Sequence, residues 1–118
     1  MPLPIPVGNE QVNLPAPLDT PMKLSDLSSG AGGTGPIHVA MSGLVFDVSS
    51  NRATYGSDGS YSIFAGKDAS RALAKSSLKV EDVTGDVSDL TDAEKETLRK
   101  WVEFFQKRYP IVGKLVEN

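Results

Sequence analysis

The chain has no cysteine and a single histidine, His38, among its 118 residues. Without cysteine there is no disulfide framework, no thiolate zinc site, no iron–sulfur cluster and no catalytic thiol. One histidine also excludes any metal site built from several imidazoles.

An excess of basic residues and a long apolar run are also missing. The chain has twelve Lys and Arg residues and fifteen Asp and Glu residues, which gives a formal charge of −3. This balance argues against a dedicated nucleic-acid binder and against adsorption to anionic lipid, since both need a basic surface. No stretch approaches the roughly 20 apolar residues of a membrane span. The N-terminal residues lack the basic and apolar regions of a secretory signal, so we expect an intracellular protein without a transmembrane segment of its own.

Proline is concentrated at one end of the chain. Seven of the eight prolines lie within the first 36 residues. Alternating proline and apolar residues cannot continue a helix or a central strand. Residues 1–20 are therefore predicted to form an extended, Pro-rich arm, and residues 21–118 to form one domain. The arm is either a disordered tail or a strap that docks on the domain or on a partner.

The rest of the chain predicts an α+β domain. Residues 37–41 alternate, with Ile37, Val39 and Met41 on one face, and the Ser42–Gly43 turn leads into a second strand, so 37–48 is predicted to be a hairpin. Thr91 and Glu94 have the spacing of a capping box, and Pro110 ends the helix that follows. The other predicted elements are a helical turn or strand at 22–27, a polar loop at 49–60, a helix over 69–76 capped by Asp68, and a closing strand after Pro110.

Three segments together resemble a known family. They are YGSDGSYSIFAGKDASRALA at 55–74, the hairpin VAMSGLVFDVSS at 39–50, and DLTDAEKETLRKWVEFFQKRYPIVGKL at 89–115. They are similar to the membrane-associated progesterone receptor family, whose members are cytochrome b5-like haem/steroid-binding domains. The resemblance covers about residues 22–117.

The resemblance implies a cytochrome b5-like fold, with a small mixed sheet and short helices around one pocket for ferric haem b. Electron-transfer cytochromes b5 hold iron through two histidines, the first in an H-P-G-G loop that this chain lacks. His38 lies in a strand and is expected to be an ordinary side chain. The resemblance instead gives the iron-ligand role to Tyr61 as a phenolate, a ligand type that also holds haem iron in catalase.

Further site residues follow from the same resemblance. Tyr55 matches the first loop tyrosine of the family, and its hydroxyl is expected to form a hydrogen bond near Tyr61 or a haem propionate. Arg108 and Tyr109 fall where relatives have a basic residue followed by tyrosine, and a cation suits a ligand with two carboxylates. Lys67 and Arg71 are additional candidates for the propionates, although helix-surface cations are commonly just solvated.

Some positions depart from the family pattern. Thr54 stands where relatives have Phe before the first loop tyrosine, Asn51 replaces a common Gly, and Met22 replaces Phe at the start of the domain. The segment SSGAGGTG at 28–35 replaces the usual Tyr and acidic residues. Losing an aromatic ring beside Tyr55 removes apolar area that would line the pocket, so weaker haem binding is expected.

The resemblance implies a haem-binding module that regulates or supports partner enzymes such as haem-thiolate monooxygenases of sterol metabolism, at the endoplasmic reticulum or another endomembrane. One alternative is an interaction subunit that docks through its Pro-rich arm and binds little or no haem. Another is a carrier for a sterol-like ligand. An exposed haem face would favour a haem-dependent homodimer. An enzyme that acts alone is not expected, since no nucleophile–histidine–acid set or phosphate-binding glycine loop is present.

Overall fold

The computed structural model describes residues 14–30, 35–56 and 59–116. Its centre is a mixed five-stranded sheet with the strand order β1-β5-β3-β2-β4. The outer pairs β1–β5 and β2–β4 are parallel, and the two inner pairings are antiparallel. The strands are β1 (Pro21–Met22), β2 (His38–Met41), β3 (Leu44–Asp47), β4 (Lys67–Asp68) and β5 (Ile111–Leu115).

The predicted hairpin is confirmed as β2 and β3. Val39 lies opposite Phe46 and Met41 opposite Leu44, and the turn residues Ser42 and Gly43 have φ values of 52° and 80°. Positive φ at both central residues is the mirror-image turn whose twist matches that of the two strands. Gly43 adopts it without steric cost, which explains why a two-residue connection is sufficient.

The alternation along this hairpin separates two apolar clusters on opposite faces of the sheet. The larger core contains Val39, Met41 and Phe46 and continues into the helices. The smaller cluster contains Ala40 and Val45 on the other face, where it meets Leu27 and partly buried side chains of β1 and β5. A period of two along each strand is what sends neighbouring side chains to opposite faces.

Within the described ranges, three α-helices and four 3₁₀ turns accompany the sheet. The longest helix buries Leu98, Trp101 and Phe105 against the larger core, as the spacing of its apolar residues predicts. Thr91 and Glu94 form the predicted capping box, in which each side chain accepts the backbone N–H of the other. The α-helices are α1 (Arg52–Tyr55), α2 (Ser70–Ala74) and α3 (Asp92–Arg108); the 3₁₀ turns are Leu24–Asp26, Ser49–Asn51, Ser62–Phe64 and Val80–Asp82.

The predicted polar loop at 49–60 was wrong in part, because it contains a 3₁₀ turn and α1. These elements are only three and four residues long, too short for a periodic pattern to reveal. Tyr55 ends α1 with its ring buried, and it anchors the segment in the core. Residues 22–27 contain both a strand residue and a 3₁₀ turn, so both alternatives predicted for that segment occur.

The helix predicted over 69–76 is shorter, and its cap lies elsewhere. It begins at Ser70, and the N-cap residue is Ala69, which has no capping side chain. Asp68 instead lies in β4 opposite Ala40, since pairing with β2 keeps its backbone extended. Its carboxylate still accepts the backbone N–H and the hydroxyl of Ser70, at 3.0 and 2.6 Å. Asp68 therefore supplies the capping interaction that was predicted for it, but from the residue before the N-cap position.

Candidate functional site

The three tyrosines of the chain lie in one aromatic cluster. The Tyr55 ring centroid is 5.9 Å from that of Tyr61 and 6.3 Å from that of Tyr109. Phe105 joins the cluster from α3, with its centroid 4.9 Å from Tyr109 and 6.2 Å from Tyr55. Most of these pairs meet edge to face, which is a favourable arrangement for aromatic rings. We call Tyr55, Tyr61, Tyr109 and Phe105 the tyrosine cluster.

Backbone hydrogen bonds hold Tyr61 in place. Its N–H donates to the carbonyl of Thr54 at 3.0 Å, which ties it to α1. Its own carbonyl accepts the N–H of Phe64, also at 3.0 Å, at the start of a 3₁₀ turn. The Phe64 ring packs on Tyr61 with centroids 5.6 Å apart. Because residue 54 acts here through its carbonyl, the change from Phe to Thr leaves this support of Tyr61 intact.

Burial distinguishes the three tyrosines chemically. Tyr55 is 4% exposed and Tyr109 is 5% exposed, whereas Tyr61 is only partly buried. Burial raises the pKa of the Tyr55 phenol far above its ordinary value, and the neighbouring phenols of Tyr109 and Tyr61 add to the rise. Tyr55 is therefore a neutral phenol at any physiological pH. Among the described residues its hydroxyl makes no hydrogen bond, and the expected bond near Tyr61 or to a haem propionate stays a prediction.

Tyr109 has a polar partner that the family pattern does not supply. The side-chain amide of Asn51 donates to the Tyr109 hydroxyl over 3.1 Å and links the turn before α1 to the end of α3. The glycine that is common at position 51 could not make this bond. In the sequence, Asn51 is only a departure from the family pattern, because its partner lies 58 positions away and leaves no local signal.

A cavity of about 530 Å³ lies beside this pair, and Arg108 lines it. The Arg108 guanidinium carbon is 5.6 Å from the Phe104 ring centroid, a cation–π arrangement. Within the part of the chain that the structure describes, Arg108 has no carboxylate partner. Asn51 and Tyr109 also line the cavity, so a cation and an amide lie beside one member of the tyrosine cluster.

The structure does not bring Lys67 and Arg71 to the tyrosine cluster. Lys67 is exposed on β4 and lines a separate cavity of about 460 Å³ with residues such as Leu24 and Leu27. Arg71 is engaged by acidic groups of the loop before α3. Its Nε lies 3.3 Å from Asp82, and its Nη1 forms an ion pair with Asp89. The geometry gives Arg71 a role in fastening this loop.

The ion pairs that Arg71 forms with Asp82 and Asp89 predict that the free energy of unfolding depends on pH. The Ser77 hydroxyl and then Arg71 hold the pKa of Asp82 below its usual range, and Arg71 does the same for Asp89. Groups with lowered pKa values stabilise the folded state above their unfolded pKa of about 4, and this contribution is lost as the pH falls through the folded values. We therefore expect Arg71→Gln to reduce the free energy of unfolding at pH 7, with the difference from wild type shrinking below about pH 4.

Urea denaturation followed by circular dichroism between pH 7 and pH 3 would measure this effect. Lys107→Gln is the matched control, because Lys107 is an exposed cation that forms no ion pair within the described residues. If Arg71→Gln lowered the free energy of unfolding by the same amount at every pH in this range, the ion pairs would not be the cause of the loss.

Other metal or membrane features are not found in the described residues. Across 14–30, 35–56 and 59–116, no three His, Asp or Glu side chains are placed to hold a metal ion together. The Nδ1 of His38 accepts the backbone N–H of Ser28 at 3.1 Å, so this nitrogen has a structural partner in the strand. No helix in these ranges has the length and apolar character needed to cross a bilayer.

The sequence is similar to a family of known domains and to several known proteins. The family model described as "Cytochrome b5-like Heme/Steroid binding domain" matches residues 23–116. The chain is 49% identical over 88 residues to "Probable steroid-binding protein 3" of Arabidopsis thaliana, which covers 75% of this chain and 88% of that protein. It is 42% identical over 95 residues to human neuferricin, covering 80% of this chain and 36% of neuferricin.

A solved structure agrees with the architecture. A hypothetical Arabidopsis thaliana protein with a cytochrome b5-like fold superposes with a TM-score of 0.75 and 45% sequence identity, over 81% of this chain and 90% of that one. The chain also matches membrane steroid-binding protein 2 of Arabidopsis thaliana at 41% identity, over 82% of its own length and 45% of that relative. It thus spans less than half of that relative and of neuferricin.

Proposed function

The chain belongs to the cytochrome b5-like haem/steroid-binding domain family, among the membrane-associated progesterone receptor proteins, and from that premise we propose that it binds one ferric haem through the Tyr61 phenolate. One observation carries this proposal. Of the three tyrosines in the cluster, only Tyr61 is not buried. Burial raises the pKa of the Tyr55 phenol, so Tyr55 is a poor phenolate donor. Tyr61 is partly exposed and can be reached by an incoming ligand.

The surroundings of Tyr61 fit a haem by their chemistry. A bound haem supplies ferric iron, a flat apolar macrocycle and two carboxylates. The tyrosine oxygen is a hard anionic donor of the kind that ferric iron accepts. The rings of Tyr55 and Phe64 pack against Tyr61 and hold its ring in position. Arg108 provides a cation without a carboxylate partner in the described residues, which suits a propionate.

The residues of this chain then define separate roles. Tyr61 would hold the iron, with its phenolate oxygen as the donor. Tyr55 remains neutral and supports the Tyr61 ring. Tyr109, which accepts a hydrogen bond from Asn51, and Arg108 line the adjacent cavity. There they would bind the polar edge of the ligand. An oxygen ligand of this charge favours the ferric state, so the module is suited to holding haem more than to shuttling electrons.

We further propose that the loaded module regulates or supports partner enzymes, such as haem-thiolate monooxygenases of sterol metabolism. Relatives carry names that refer to steroid binding and to membranes, which supports a role at an endomembrane. Binding of a sterol-like ligand in the same cavity is the second candidate, because the names of the similar plant proteins refer to steroids.

A hemin titration of the purified protein tests the first proposal. We expect a Soret change that saturates at one haem per chain, together with a tyrosinate-type charge-transfer band. Iron-free protoporphyrin is the control, and it should bind more weakly by roughly tenfold or more, because it offers no metal to the Tyr61 oxygen. Equal binding of both porphyrins, or no saturation, would contradict ligation by Tyr61.

A competition experiment distinguishes binding of a sterol-like ligand from binding of haem. Progesterone added to the loaded protein should leave the Soret band unchanged if the cavity is a haem site alone. Displacement of haem by the steroid would mean that both ligands use one space. Sedimentation velocity on the same samples, with and without hemin, tests whether loading produces the expected homodimer.

A further inference from the structure

The described part of the Pro-rich arm is attached to the last strand of the sheet. Residues 14–20 precede β1, and we call them the strap. The N–H of Leu18 donates to the carbonyl of Ile111 at 3.0 Å, and the carbonyl of Thr20 accepts the N–H of Lys114 at 2.9 Å. The strap therefore continues the parallel pairing of β1 with β5 towards the start of β5.

Gly113 makes this close attachment possible. A Cβ atom at position 113 would lie 2.6 Å from the Thr20 carbonyl oxygen and 2.5 Å from the Met22 sulfur, both too close for a side chain. Gly113 is buried beneath these two residues. The absence of a side chain at the centre of β5 thus leaves the space in which the chain lies against the strand.

The strap delivers Leu14 to the cavity beside the tyrosine cluster. Leu14 and Pro110 contribute apolar groups to the lining, while Asn51 and Arg108 contribute an amide and a guanidinium. Tyr109 is shared between this cavity and the cluster. The lining therefore offers apolar groups to a ring edge and a guanidinium to a carboxylate, the two surfaces that an amphipathic planar ligand presents.

We infer that the strap forms a wall of the ligand site, where Leu14 contacts the bound group and slows its release. This inference rests on the haem-binding function proposed above. The arm is then neither a disordered tail over residues 14–20 nor solely a docking segment for another protein. Leu18 is the internal contrast, because it lies in the same strap but is 54% exposed and does not line the cavity.

The rate of haem loss to excess apomyoglobin tests the inference. Leu14→Ser removes the apolar contact of a partly buried leucine, so we expect haem dissociation to accelerate by about threefold to tenfold. Leu18→Ser, the same substitution at an exposed position of the strap, should stay within about twofold of wild type. Leu14→Met keeps the apolar volume and should restore the wild-type rate. Equal rates for wild type and Leu14→Ser, or equal acceleration by both serine variants, would overturn the inference.

Amide hydrogen exchange on the ligand-free chain gives a second measurement that needs no haem. The Leu18 and Lys114 N–H groups should be protected, because both donate across the strap–β5 junction. Free exchange at both would show that the strap does not dock, and would overturn the inference even if haem binds. Protected amides in a chain that fails to bind hemin would place the failure in the proposed function instead.

Discussion

Tyr61→Phe is expected to remove the tyrosinate charge-transfer band and to weaken hemin binding by roughly 100-fold or more. Loss of a residue that only hydrogen-bonds to a metal ligand already lowers metal affinity by about 10- to 100-fold, and loss of the ligand itself should cost at least as much. The substitution deletes the oxygen donor and keeps the ring. The contacts with Tyr55 and Phe64 therefore persist, and stability should change by no more than about 0.5 kcal/mol. Absorbance titration with hemin, alongside thermal denaturation, measures both quantities.

Tyr55→Phe is the matched control, because it makes the same chemical change at a buried neighbour in the same cluster. Its hydroxyl can contribute at most a hydrogen bond to the ligand, so affinity should fall by no more than about tenfold and the charge-transfer band should remain. The opposite pattern, in which Tyr55→Phe abolishes the band and Tyr61→Phe keeps it, would assign the iron to Tyr55. Loss of the band in both variants would mean that the tyrosines act as a unit.

Phe105→Ala is expected to lower the free energy of unfolding by about 3–5 kcal/mol, the usual cost of deleting a buried aromatic ring. Phe105 is 1% exposed and contacts five other aromatic rings. Those rings belong to Phe46, Tyr55, Trp101, Phe104 and Tyr109. A loss of this size is a large share of the roughly 5–15 kcal/mol available to a small domain.

Urea denaturation of the ligand-free protein measures the loss, and Gln106→Ala is the control. Gln106 is the exposed neighbour on the same helix, so its replacement should change stability by less than about 0.5 kcal/mol. Because Phe105 also supports Tyr55 and Tyr109, the alanine variant should bind hemin more weakly even where it remains folded. The expected loss assumes that removal of the ring leaves a cavity. If Phe105→Ala lowered the free energy of unfolding by less than about 1 kcal/mol, the surrounding rings would have moved to fill that cavity, and the expectation would be wrong.

The sequence predicted the elements whose signals are local and repeated. Alternation at 37–48 with a Ser–Gly turn was sufficient for the hairpin, and the Thr91–Glu94 pair with Pro110 defined both ends of α3. The family resemblance and the cytochrome b5-like α+β fold are confirmed by the matching family model and the superposed structure. Local propensity and capping need only nearby residues, so they can be recognised without knowledge of the tertiary structure.

Features that depend on distant partners were not predictable in this way. Arg71 was a candidate for a propionate, yet it binds carboxylates eleven and eighteen positions away. Asn51 and Tyr109 are separated by 58 positions, and their hydrogen bond exists only because the fold brings them together. The roles of Tyr61, Tyr55, Arg108 and Tyr109 towards a haem remain predictions, although the structure places the three tyrosines in one cluster and Arg108 beside it.

The position of β5 has a consequence for how the chain folds during synthesis. This strand lies between β1 and β3, so residues near the start of the domain have no sheet partner until residues 111–115 are available. A ribosome that has made only the first hundred residues holds an open sheet edge at β3, which is a surface prone to pairing with other chains. The hairpin can form early, but the sheet closes only after the segment following Pro110 has left the exit tunnel. Stalling before that point would expose an incomplete domain to quality control and to aggregation.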